Sequence, residues 1–284
     1  NKNAEAEEKQ PFFVDWDPET AEKGGYPHFM LKEIHEQPKA VRDTVMPRIK
    51  ENEIVLDDVV LTEEYVKNIK KINIVGCGSA YHAGIIGKYY IERVCRIPVE
   101  TDLASEFRYR GPIADERVLT IIISQSGETA DTLAALREAK RLKSKTLAIV
   151  NVVGSSIARE ADNVLYTHAG PEIAVATTKG YTTQVVSLYL IGLYLAGRLD
   201  SLSLTEYKEQ LDSLKALPDN IEKLLKTPET TQYLASLYYK NKDFFFIGRG
   251  MDYASPLEAA LKLKEISYIH AEAYPARELK HGTI

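Results

Sequence analysis

The stretch Val118-Leu119-Thr120-Ile121-Ile122-Ile123-Ser124-Gln125-Ser126-Gly127-Glu128-Thr129 decides the fold. Its first six residues are almost unbrokenly apolar, without the in–out alternation of a half-exposed strand. Such a run suits a central parallel strand covered on both faces. It stops at small polar residues and Gly127, and the spacing beyond predicts a helix over Thr129–Leu142. A buried strand feeding a helix through a short polar turn is the building unit of an α/β fold.

The same unit recurs outward. Upstream, Ile72–Val75 reads as a strand, Gly76-Cys77-Gly78-Ser79 as a turn, about four turns of helix run on from Tyr81, and Ile97–Thr101 reads as a strand. Downstream come strands at Thr146–Val150 and Asn163–Thr167 and a long apolar helix, Thr178–Ala196. This alternation predicts a doubly wound, flavodoxin-like parallel sheet flanked by helices. Helical spacing over His28–Ile49 is interrupted by Pro38, which predicts two helices there. Residues 1–27 read as a polar linker, 28–204 as a first domain, and 205–284 as a second that opens with Leu-rich helices over Thr205–Tyr239.

At Phe244 the pattern restarts. Phe246-Ile247-Gly248-Arg249-Gly250 aligns with Ile74-Val75-Gly76-Cys77-Gly78 at an offset of 172 residues, and the same offset pairs Ala104 with Ala276 and Glu106 with Glu278. Two stretches in one ungapped register indicate a duplication. The copy of Val118–Ile123 would fall near 290–295, past Ile284, so the second unit reads as truncated.

Composition excludes several classes. The 284 residues carry 36 Lys plus Arg against 41 Asp plus Glu, a net charge of −5, which argues against a general nucleic-acid binder. Cys77 and Cys95 are the sole cysteines, too few for a disulfide framework and in keeping with a reducing, cytoplasmic setting. No apolar run reaches the roughly 20 residues of a membrane span. The acidic start, with Glu5, Glu7 and Glu8, is unlike a signal peptide. No metal-ligand spacing is visible among the His and Cys residues.

Ser124, Gln125, Ser126 and Thr129 place three hydroxyls and an amide at a strand's carboxyl end and a helix's start. Free N–H groups and the positive end of the helix dipole favour an anion there. With no Lys after Gly127 this is not a Walker loop, and a phosphate monoester on a sugar fits best; a plain helix cap would need one hydroxyl. Gly76-x-Gly78 invites a dinucleotide reading with Glu100 as ribose acid, but Tyr81 occupies the third small position. Ser79 is a further donor on the same edge, or a cap. Glu172–Lys179 reads as a loop over the site, or as the cap of the following helix. Lys262 and Glu265 share a helix face, as a surface ion pair or as part of a site. His281 beside Gly282 is a loop histidine or a functional one.

Together, Ser124–Thr129, Lys262-Leu263-Lys264-Glu265-Ile266-Ser267-Tyr268, Glu278-Leu279-Lys280-His281-Gly282 and Gly25–Ile34 resemble the isomerase half of the glucosamine-6-phosphate synthases, a sugar-isomerase family. The likeness runs from about Trp16 to the end of the chain. It implies two sugar-isomerase subdomains, a homodimer, a fructose 6-phosphate or glucosamine 6-phosphate ligand, and no metal or organic cofactor. By position it implies that Ser124, Gln125, Ser126 and Thr129 hold the phosphate and nearby oxygens, that Ser79 contacts the sugar, and that Val175 and Thr177 lie in the loop beside it. Ala80 stands where the family has Ser. The likeness further implies Glu265 as the base moving a proton between C1 and C2, Lys262 beside it, and His281 as the ring-opening group reaching across a dimer interface. In the family, a lysine in a C-terminal tail forms a Schiff base with the open ketose, and a glutaminase half precedes the isomerase half. The competing readings are a non-catalytic phosphosugar sensor and a plain aldose–ketose phosphate isomerase or deglycase.

Overall fold

Every residue of the central strand, Val118–Ser124, is buried. The computed structural model around it describes residues 22–283; most of the linker region, the acidic start and Ile284 lie outside the described residues. Helix α1 (Phe29–Val45) leads through a small hairpin, β1 (Ile49–Lys50) and β2 (Glu53–Ile54), and α2 (Glu63–Asn68) to the sheet. There follow β3 (Lys71–Gly76), α3 (Ser79–Cys95), β4 (Val99–Leu103), α4 (Ala104–Phe107), β5 (Val118–Ser124), α5 (Ala130–Arg141), β6 (Lys145–Val150), α6 (Ser156–Glu160) and β7 (Asn163–Tyr166). Three helices, α7 (Lys179–Leu199), α8 (Leu204–Leu225) and α9 (Glu229–Tyr238), lead to β8 (Asp243–Gly248), α10 (Met251–Ser267) and β9 (His270–Pro275).

The main sheet has the order β4-β3-β5-β6-β7 and is parallel throughout, as the alternation predicted. Successive side chains of β5 point to opposite faces. Ile121 and Ile123 join the larger core, with α3, α7 and Leu211 and Leu214 of α8. Ile122 joins the smaller one, with Phe107, Leu136 and Ile157. Each such aliphatic side chain, wholly buried, contributes about 1.5–3 kcal/mol. Strand order reverses between β3 and β5, and the crevice outside their carboxyl ends is where open sheets of this kind bind ligands.

Pro38 does not divide α1. The helix runs unbroken from Phe29 to Val45 with Pro38 inside it. A proline strips the carbonyl four residues back of its N–H donor. Here that carbonyl, Ile34 O, accepts instead from the Gln37 side-chain amide at 3.0 Å, which replaces the lost hydrogen bond.

The duplication is visible in the backbone. β8, α10 and β9 repeat β3, α3 and β4 at the offset of 172: Ile72 pairs with Val99 in one parallel ladder, Phe244 with Ala271 in the other. Gly78 (φ 54°, ψ −125°) and Gly250 (φ 60°, ψ −129°) precede the two helices in the same left-handed conformation, which a Cβ would strain. Arg96 and Tyr268 both end them in left-handed caps. Helices α3 and α10, equivalent in the two units, pack against one another. No helix among the described residues is long and apolar enough to cross a membrane.

Candidate active site

The turn after β5 is shaped by Gly127, at φ 66°; a Cβ there would stand 2.0 Å from Ser155 Oγ. The loop's hydroxyls hold the turn itself. Ser124 Oγ accepts the Gly127 N–H at 3.1 Å and lies 3.1 Å from Thr129 Oγ1, and Ser126 Oγ accepts the Glu128 N–H at 3.2 Å. No side chain caps α5 from Thr129, so the simple capping alternative for this loop does not hold. Glu128 turns outward and accepts the Ser156 N–H at 2.7 Å, a bond that holds its carboxyl below the usual range.

Gln125 is oriented by Gln184 of α7, whose Nε2 donates to Gln125 Oε1 at 3.5 Å. Gln125 Nε2 and Gln184 Oε1 are both buried without a protein partner. Two unmatched amide atoms are costly to bury, and both residues line the same cavity.

Glu172 serves as loop residue and cap together. Its carboxylate accepts the Thr178 N–H at 2.8 Å, the Gly180 N–H at 3.0 Å and the Thr177 hydroxyl at 2.7 Å, closing the start of α7. Val175 stands fully exposed on the rim.

The opposite wall comes from α10. Lys262 Nζ lies 2.5 Å from Glu265 and 3.2 Å from Glu258, and donates to Ser79 Oγ at 3.1 Å. Ser79 Oγ in turn donates to Glu258 Oε1 at 2.7 Å, while His82 Nδ1 lies 2.8 Å from Glu258 Oε2. Ser79 is therefore engaged by α10 and does not cap its own helix. The Tyr181 hydroxyl is buried without a partner; burial, and secondarily the charge on Glu258, push that phenol above its ordinary range. Sequence reasoning missed Glu258, His82 and Gln184. Glu258, Lys262 and Glu265 form an i, i+4, i+7 stripe, a signal that was present; His82 and Gln184 left none, since they matter through contacts distant in sequence.

These walls enclose one cavity of about 580 Å³ at the β3/β5 switch point. Ser79, Ser124, Gln125, Ser126, Thr129, Val175, Thr177, Lys262 and Glu265 all line it, and so does Ala80. His281 does not. It lies exposed on the turn beyond β9, its N–H donating to Glu278 O at 2.9 Å. Glu100 is tied to Lys71 at 3.1 Å and Arg110 at 2.9 Å, so the ribose-acid role of the dinucleotide reading finds no support.

Residues 65–194 and 237–284 match the SIS domain. This chain belongs to the SIS-domain family. The second matched block takes in the β8-α10-β9 repeat. The SIS-domain chain is 62% identical over 277 residues to a glutamine–fructose-6-phosphate aminotransferase (isomerizing) of Caldanaerobacter subterraneus subsp. tengcongensis, and 57% identical over 278 residues to that of Clostridium acetobutylicum. These alignments cover 97% and 98% of this chain but 46% of each relative, so the chain spans under half of their length. Among solved structures, the C-terminal domain of glucosamine-fructose-6-phosphate aminotransferase from Francisella tularensis superposes with a TM-score of 0.87 at 42% identity, over 92% of this chain and 73% of that one. The resemblance of the sequence motifs to the isomerase half of that family is borne out.

Proposed function

We propose that this chain is the isomerase and amino-transfer half of an enzyme that converts fructose 6-phosphate and ammonia into glucosamine 6-phosphate. One observation carries the reading: the hydroxyl-rich turn 124–129 and the Lys262–Glu265 pair face one another across a single cavity. The turn suits a phosphate, whose binding fixes the sugar chain and supplies remote binding energy. The carboxylate on the other wall suits transfer of a proton between C1 and C2 of an open-chain ketose or its imine, on one face of the substrate. A sensor would need the turn and not the pair.

In this reading Ser124, Gln125, Ser126 and Thr129 hold the phosphate, Ser79, Val175 and Thr177 contact the sugar, Glu265 moves the proton and Lys262 orients it. The unmatched amide atoms of Gln125 and Gln184 support an oxygen-rich ligand. His281, exposed and outside its own chain's cavity, opens the ring in the site of a second copy, which makes the working unit a homodimer. This chemistry is that of amino-sugar synthesis, and two free cysteines suit a reducing, cytoplasmic setting. The test is calorimetric titration of the chain with fructose 6-phosphate, and amino-sugar formation from fructose 6-phosphate and ammonia by the full-length protein carrying these residues. Absence of sugar-phosphate binding to the cavity would refute the reading.

A further inference from the structure

Helix α1 lies outside the sheet, yet one of its faces is spent on the substrate loop. Glu33, 2% exposed, accepts the N–H groups of Ile173 at 2.6 Å and Ala174 at 3.1 Å through one carboxylate oxygen. Its other oxygen is buried without a partner. At the next positions of that face, Glu36 pairs with the buried Lys179 at 2.7 Å and Gln37 accepts the Thr182 hydroxyl at 2.6 Å. The loop is thus gripped on both sides of Val175: by Glu33 before it, and by the anchored start of α7 after it.

We propose that Glu33 is a positioning residue for the sugar, holding the 171–178 loop in its binding geometry before the ligand arrives. The proposal rests on the phosphosugar reading above. Two loop amides could be satisfied by any neutral acceptor, and burying a carboxylate is costly unless strong hydrogen bonds repay it. N–H bonds to a carboxylate are roughly twice as strong as neutral ones. The surplus fixes a loop that would otherwise be ordered at the ligand's expense. Glu33 has no bond to the 124–129 turn, which is built on β5 and α5. Its influence therefore falls on the sugar end of the ligand and spares the phosphate end.

The experiment compares the wild-type chain with Glu33→Met, which keeps the volume and removes the acceptor, and Glu33→Gln, which keeps a neutral acceptor. Each is titrated with fructose 6-phosphate and, separately, with inorganic phosphate, and amide exchange is followed at Ile173 and Ala174. In wild type both amides should be protected. In Glu33→Met they should exchange at least tenfold faster, fructose 6-phosphate affinity should fall about tenfold, and inorganic phosphate affinity should hold. Glu33→Gln should fall between the two, and decides the matter alone if the Met variant does not fold. Equal loss for both ligands, or unchanged sugar-phosphate affinity in either folded variant, overturns the proposal. Failure of the wild-type chain to bind fructose 6-phosphate overturns the functional reading itself, a distinct result.

Discussion

Glu258 on α10 accepts the hydroxyl of Ser79 on α3 at 2.7 Å, across 179 residues of sequence. The two helices are equivalents in the duplicated unit, so one buried carboxylate joins the repeats at the cavity. Glu258 also takes His82 and Lys262, and is 7% exposed at the side chain. Replacing it with Ala takes the partner from His82 and one partner each from Ser79 and Lys262, which keep one another, at a cost of roughly 1–3 kcal/mol. Urea unfolding should show that loss, with Glu258→Gln intermediate. A midpoint unchanged in Glu258→Ala would mean that α10 is held on α3 by packing alone.

The 124–129 turn, proposed to hold the phosphate, gives the second prediction. Ser126 is exposed and its Oγ holds only the Glu128 N–H. Ser126→Ala should leave the fold and melting temperature essentially unchanged. A lost hydrogen bond to a charged ligand costs roughly 1.5–3 kcal/mol, so affinity for fructose 6-phosphate should drop at least about tenfold. Calorimetry with equal affinities would remove Ser126 from the phosphate site.

How much of this was legible in the sequence follows from the range of each contact. The sheet was readable because β5 is almost unbrokenly apolar from Val118 to Ile123, and that pattern has one cheap explanation. The repeat was readable because an ungapped offset preserves both glycine turns. Pro38 misled because its compensation, Gln37 to Ile34 O, is a side-chain bond that periodicity does not register. Lys262 and Glu265 were visible as a helix face, but their assembly with Ser79 required knowing that α10 folds back on α3. Glu258, His82 and Gln184 depend on that same packing, and on nothing local.

The cysteines provide an independent probe of the cavity. Cys95 is 5% exposed, donates to Gly192 O at 3.3 Å, and burial pushes its thiol up to about 12. Cys77 is half-buried and lines the cavity. The thiolate is the reactive form, so a thiol reagent at neutral pH should modify one cysteine in the native chain and two after unfolding. Fructose 6-phosphate should slow the native reaction. Because the folded thiol titrates above the unfolded one, its contribution to stability is complete below about pH 9 and is lost as pH rises toward 12. Modification of Cys95 in the native protein, found by peptide mapping, would contradict the buried placement.

Glu265 is the carboxylate proposed as the base. Glu265 is about a third exposed at its side chain and sits 2.5 Å from Lys262, which also reaches Ser79 and Glu258. The ammonium is anchored from three sides, so it fixes where the Glu265 carboxylate points. Glu265→Gln keeps the shape and the contact with Lys262 while removing the proton acceptor. A general base supplies roughly 10²–10⁴-fold in rate. In the full-length protein the variant should lose about that factor in amino-sugar formation, with KM for fructose 6-phosphate little changed. Lys262→Met should behave differently. It releases Glu265 and strips a partner from Ser79 and Glu258, so both kcat and KM should worsen. If Glu265→Gln retains full turnover, the proton is carried by another group, and the buried Glu258 becomes the carboxylate to test. If it loses sugar-phosphate binding instead, Glu265 holds the ligand and is not its base.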